Sequence, residues 1–107
     1  MRWKHDSDEL TIYLTGEIDH CAAETLRMKI EEIIDKTKKQ TLIFDFSDVA
    51  FMDSSGVGML IGRYKSMMSR GGKVLAYGMN PSIERLYRMA GLHRIIPIME
   101  RERRNEA

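Results

Sequence analysis

Cysteine is almost missing from this chain. Cys21 is the single one in 107 residues, so no intramolecular disulfide can form and a reduced, cytoplasmic protein is expected. No apolar run approaches the roughly 20 residues that span a bilayer. The N-terminal Met1-Arg2-Trp3-Lys4-His5-Asp6 lacks the apolar core of a signal peptide, so neither membrane insertion nor export is expected. An excess of one charge is missing too. Seventeen Lys+Arg face sixteen Asp+Glu, for a net charge of +1, with no basic cluster outside the C-terminal tail. That balance argues against nucleic acid as a partner.

Reaction motifs are absent as well. No GxxxxGK(S/T) loop occurs, and Gly56-x-Gly58-x-x-x-Gly62 places Ile61 where a dinucleotide fingerprint needs glycine. No GxSxG elbow or paired base supports a hydrolytic serine. His5, His20, His93 and Cys21 show no metal-ligand spacing. The reading is therefore of a protein that is not an enzyme and takes no cofactor and no metal.

What is present fits one soluble domain, residues 1–107, with a charged tail from about residue 100 to 107 that is expected to fray or be disordered. Hydrophobic residues make up 43% and charged residues 31%, ordinary for a globular protein. Leu10, Ile12 and Leu14 alternate with Thr11, Tyr13 and Thr15, the period of a half-buried strand. The polar Asp6-Ser7-Asp8-Glu9 turns this strand back on residues 2–5 as a hairpin. Thr15 to His20 reads as a loop into a helix that buries Ala23, Leu26, Ile30, Ile33 and Ile34.

Thr41 to Phe46 is a nearly continuous apolar run, as in a central strand. A connection through Val49 and Phe51 follows. Val57, Leu60, Ile61, Tyr64, Met67 and Met68 then recur at helical spacing, and Gly71-Gly72 ends that helix. Lys73 to Tyr77 reads as a strand. Asn80-Pro81 opens a third helix as N-cap and first residue, and Gly91 stops it. Leu92, Ile95, Ile96 and Ile98 read as a last short extended stretch. Strands alternating with helices predict an α/β fold with a mixed, largely parallel sheet of four to five strands. An N-terminal hairpin and helices packed mainly on one side complete it.

The chemistry concentrates in Asp53-Ser54-Ser55-Gly56, at the start of the most regular helix. Ligand sites in open parallel sheets lie beyond the carboxyl ends of the strands. A helix N-terminus leaves about four backbone N–H groups unpaired and carries partial positive charge. A phosphoserine there would meet waiting donors, and phosphorylation would add about −2 of charge without unfolding the helix. The plain alternative is that one serine is simply an N-cap. Ser55, Gly58, Gly62, Ser66 and Ser69 also form a stripe of small residues. Each helical glycine costs about 1 kcal/mol relative to alanine. Either a partner's close approach or tight internal packing would explain it. Of the methionines near the turn, Met52, Met59, Met67 and Met68 read as core filler or as an adaptable binding face.

The motifs Leu14-Thr15-Gly16-Glu17-Ile18-Asp19-His20 and Phe51-Met52-Asp53-Ser54-Ser55-Gly56-Val57-Gly58 resemble the anti-sigma factor antagonist family, of the STAS fold. Gly62-Arg63-Tyr64-Lys65, Gly71-Gly72 and Met89-Ala90-Gly91-Leu92 fit it too, and the likeness runs from about Leu10 to Ile98. The resemblance implies a partner-switching protein. Its unphosphorylated form would bind an anti-sigma factor that is also a serine kinase, releasing a sigma factor of the sporulation sigma F type. That kinase would phosphorylate the antagonist and break the complex, and a serine phosphatase would reset it. Within Asp-Ser-Ser-Gly the resemblance makes Ser54 the phosphoacceptor and Ser55 the cap. It places Glu17, Asp19 and His20 with Asp53, Ser54, Ser55, Gly56, Val57 and Gly58 at the partner face. Cys21 stands where relatives often carry a second histidine.

Overall fold

The computed structural model describes residues 1–100, so the tail expectation lies outside the described residues beyond Glu100. Strands β1 (Arg2–Asp6) and β2 (Glu9–Ile18) form the hairpin, with Trp3 opposite Ile12. Then follow α1 (His20–Thr37), β3 (Thr41–Met52), α2 (Ser54–Ser69), β4 (Lys73–Tyr77), α3 (Pro81–Met89) and a 3₁₀ turn, Leu92–Arg94. The sheet runs β1-β2-β3-β4, antiparallel in the hairpin and parallel from β2 to β4. The α/β prediction of a mixed sheet with an N-terminal hairpin therefore holds. A fifth strand is reduced to one bridge between Ala76 and Ile98.

The alternation of β2 places Leu10, Ile12 and Leu14 in one buried cluster with Phe44 and Phe46 of β3. Helix α1 adds Ile30 and Ile34, α2 adds Leu60 and Met67, and α3 adds Ile83 and Tyr87. Residues 41–46 are all buried, as befits a strand with neighbours on both sides. Tyr87 packs edge-on against Phe46 and donates its hydroxyl to the Ile96 carbonyl at 2.6 Å. Burial raises its pKa above the ordinary tyrosine value.

Three boundaries differ from the sequence reading. Strand β2 continues to Ile18, so the loop expected at Thr15–His20 is mostly strand. Gly16, at φ +77°, lets the ladder continue through an irregular register. Strand β3 likewise continues through the expected connection to Met52. It carries extra residues where Tyr13 and Thr15 face Asp45 and Asp48, and where Gly16 and Glu17 face Val49 and Phe51. Such bulges keep a ladder going while turning side chains to new directions, and they hide the strand's period in the sequence. The last stretch is not a strand. Its 3₁₀ turn follows Gly91 at φ +79°, and contact with β4 is one bridge at Ile98, where the Ala76 N–H donates to the Pro97 carbonyl and the Met99 N–H to the Ala76 carbonyl.

The caps follow elementary hydrogen-bond chemistry. Gly71, at φ +75°, ends α2, with the Gly72 N–H donating to the Met67 carbonyl and that of Gly71 to Met68. This pairing satisfies carbonyls that the helix end would leave open. Asn80 does two jobs. Its Oδ1 accepts from the Ile83 N–H at 2.9 Å, capping α3. Its Nδ2 donates to the carbonyls of Val49 and Ala50 at 3.4 and 3.3 Å, at the second β3 bulge. Asn80→Ala is expected to lower unfolding free energy by about 1–2 kcal/mol in chemical denaturation. Asn80→Ser, which keeps a cap but cannot reach β3, should recover about half of that loss.

Candidate functional site

Two parallel neighbours, β2 and β3, end side by side and each runs straight into a helix. Ile18 pairs with Met52, and the Asp53 N–H donates to the Ile18 carbonyl at 3.2 Å. Directly after this last rung come two aspartate caps. Asp19 Oδ1 accepts from the Ala22 N–H at 2.9 Å, opening α1. Asp53 Oδ1 accepts from the Ser55 N–H at 2.8 Å, opening α2. Both aspartates hold the extended backbone that an N-cap needs. Ser55 is thus not the cap. Aspartate at this place, one residue earlier, takes the role with a full negative charge that suits the helix dipole.

This geometry sets Ser54 apart. It is the first residue of α2, exposed, and its hydroxyl has no hydrogen-bond partner among the described residues. Ser55 is half-buried. The idea that a phosphate would find waiting donors is corrected in part, because Asp53 already occupies the Ser55 N–H. A phosphate on Ser54 would follow directly on the Asp53 carboxylate, which already takes one of the donors at this helix end.

The remaining sequence-predicted residues fall in two groups. Glu17, Asp19, His20, Ser54 and Gly58 are exposed around the paired helix starts. Gly56 is buried and Val57 half-buried against the core. Gly56 is glycine for packing: a Cβ there would sit 2.4 Å from Met52 Cγ and 2.6 Å from its Sδ. Gly58 behaves oppositely, since a Cβ would meet nothing within 4 Å, and the same holds for Gly62. Internal crowding does not explain these two glycines. His20, Ser55 and Gly58 line a cleft of about 200 Å³ between α1 and α2, together with Ala23, Glu24, Arg27 and Met59. Met52, Met59 and Met67 are core residues, whereas Met68 is exposed.

The cleft keeps its shape because α1 and α2 are cross-linked. Arg63 is buried in α2. Its Nη1 donates to the Arg27 carbonyl at 3.2 Å, and its Nε lies 2.9 Å from Glu31 Oε1 without the alignment of a hydrogen bond. Burial lowers the Arg63 pKa from its ordinary value, with Glu31 opposing the shift and Arg27 adding to it. Ser66 Oγ donates to Glu31 Oε2 at 2.5 Å, and Arg70 reaches Glu31 and Asp35. Ser66, a member of the small-residue stripe, therefore serves the helix pair.

Gly58→Ala and Gly62→Ala should each stabilise the fold by about 0.5–1 kcal/mol, since alanine relieves the helical glycine penalty where space is open. Thermal or urea unfolding of the purified variants checks this. A loss of stability would mean that the space is filled.

Sequence reasoning missed Phe51, which is exposed, along with Glu24 and Arg27 of the cleft. The strand boundary hid the first, and nothing in local spacing shows which face of α1 meets α2. Among the described residues no group of three or more His, Cys, Asp and Glu is placed to hold a metal, and no helix is long and apolar enough to cross a membrane.

The STAS domain family matches residues 2–105. An anti-sigma F factor antagonist of Paenibacillus polymyxa is 35% identical over 92% of this chain and 85% of its own. An anti-sigma-B factor antagonist of Listeria monocytogenes is 30% identical over 89% of this chain and 82% of its own. The anti-sigma factor antagonist SpoIIAA has been solved unphosphorylated and, from Bacillus, phosphorylated. The first form superposes with a TM-score of 0.74 at 26% identity, covering 98% of this chain and 92% of that one. The second gives 0.73 at 28% identity, covering 98% and 96%.

Proposed function

The chain belongs to the STAS domain family, and on that premise we propose that it is an anti-sigma factor antagonist switched by phosphate on Ser54. It is a regulatory binding protein of the cytoplasm rather than an enzyme. Unphosphorylated, it binds an anti-sigma factor that is also a serine kinase and so frees a sigma factor. The kinase transfers phosphate to Ser54, the complex separates, and a serine phosphatase restores the binding form.

One observation carries this reading. Ser54 is exposed at the start of α2, its hydroxyl without a partner among the described residues, beside the paired ends of β2 and β3 whose last residues and caps include Glu17, Asp19 and Asp53. The unmodified surface already carries three carboxylates, so a cationic partner surface complements it. A phosphate adds about −2 of charge beside Asp53. A partner group fitted to the neutral hydroxyl then meets a bulky dianion that must be desolvated. No rearrangement of the fold is needed, and the two forms of SpoIIAA match this chain about equally well.

The test is to mix the purified chain with the anti-sigma factor of its source organism and follow the complex by size-exclusion chromatography. A complex should form without ATP and dissolve as phosphate accumulates once ATP is added. A complex that persists on fully phosphorylated chain would refute the switch. A general-stress role is the second reading, favoured by the Listeria sigma-B relative. It changes the partner and not the mechanism, and parallel titrations with the anti-sigma F and anti-sigma B factors of the source organism decide it.

A further inference from the structure

Phe51 is the one exposed aromatic among the described residues. It is 49% exposed, and the other exposed large apolar side chains are all methionines. A lone apolar residue at a surface is ordinary, but this one is aimed by its surroundings. Met52, the next residue, is held inward under Gly56, where its Cγ occupies the space of a Cβ. Strand alternation then directs Phe51 outward. The second β3 bulge sets it opposite Glu17, with Val49 opposite Gly16 and Ala50 left out of the ladder register. Asn80 Nδ2 bonds the carbonyls of Val49 and Ala50, fixing this bulge from α3.

We propose that Phe51 is an apolar anchor of the docking face, inserting against an apolar side chain of the anti-sigma factor beside the Glu17 carboxylate. The inference rests on the antagonist reading above and deepens it. Binding surfaces concentrate their energy in a few large, aromatic side chains surrounded by polar groups that exclude water. Phe51 lies three residues from Ser54 and faces the exposed Glu17 across the β2–β3 ladder. Continuity in the chain with Ser54 and the facing Glu17 carboxylate both mark the cation-bearing partner as the occupant.

The experiment measures binding of the purified anti-sigma factor of the source organism by calorimetry, at low and high salt. Phe51→Ala should bind at least 20-fold more weakly at both salt concentrations, with a melting temperature within about 3 °C of the unaltered chain. Phe51→Leu should restore most of the affinity. Glu17→Gln should lose affinity at low salt and differ little at high salt, as screened charges do. Phe51→Ala binding within twofold while Ser54→Asp loses binding would overturn the anchor alone. An unaltered chain that does not bind, or Ser54→Asp binding equally well, would overturn the antagonist reading and the anchor with it. A salt-dependent loss in Phe51→Ala would overturn the apolar contact.

Discussion

Ser54→Asp is expected to fold as the unaltered chain does and to bind the anti-sigma factor at least a hundredfold more weakly. The folding half follows from the site. Ser54 opens α2 and is exposed, and its hydroxyl makes no hydrogen bond among the described residues. An acid in the first turn of a helix is if anything favourable. The binding half follows from charge. A mismatched charge at a desolvated contact costs a few kcal/mol, and about 1.4 kcal/mol is tenfold in affinity. Ser54→Ala should bind within a fewfold of the unaltered chain and accept no phosphate. Ser54→Asn, similar in size to the aspartate but neutral, should fall between the two. If Asn weakened binding as much as Asp, shape and not charge would operate the switch.

The second large effect concerns the floor of the same turn. Gly56→Ala places a Cβ at 2.4 Å from Met52 Cγ and 3.2 Å from Ile18 Cγ2, and one of these groups must move. Overpacking of this kind costs about 1–3 kcal/mol. The helix-propensity gain of about 1 kcal/mol offsets only part of it. Against a total stability of about 5–15 kcal/mol, the loss should appear plainly in the urea midpoint. A double variant, Gly56→Ala with Met52→Ala, should lose less than the sum of the two single changes, because the added methyl enters the space that Met52 leaves. Unchanged stability of Gly56→Ala would mean that Met52 repacks freely. The contrast with Gly58, two residues on, lies in what each Cβ meets and not in helix propensity.

How far this site was legible in the sequence depends on the residue. The 3.6-residue recurrence from Val57 to Met68 located α2, and the Leu10–Ile12–Leu14 alternation located β2, because a long amphipathic element repeats one signal many times. Asn80-Pro81 gave the start of α3, since cap chemistry there is local. The ends of β2 and β3 were hidden because bulges break the period of two on which strand reading depends. That error concealed Phe51 as a connector residue and made Glu17 a loop residue.

The cap of α2 was misplaced by a serine-serine pair standing beside the better acceptor, Asp53. Correcting it frees Ser54 and Ser55 from capping, and exposure rather than capping then separates them. The α1–α2 cleft and the Arg63–Glu31 contact join residues over thirty positions apart, and no local pattern reports such pairings. The family likeness carried in Phe51 to Gly58 supplied the partner, which physical chemistry of the turn does not.

The most direct measurement is the position of the phosphate. The chain is incubated with the anti-sigma factor of its source organism and ATP, digested, and its phosphopeptide sequenced by tandem mass spectrometry. Phosphate on Ser54, with Ser55 unmodified and with loss of the complex in proportion to the label, is the expected result. Phosphate on Ser55 with Ser54 unmodified would contradict it.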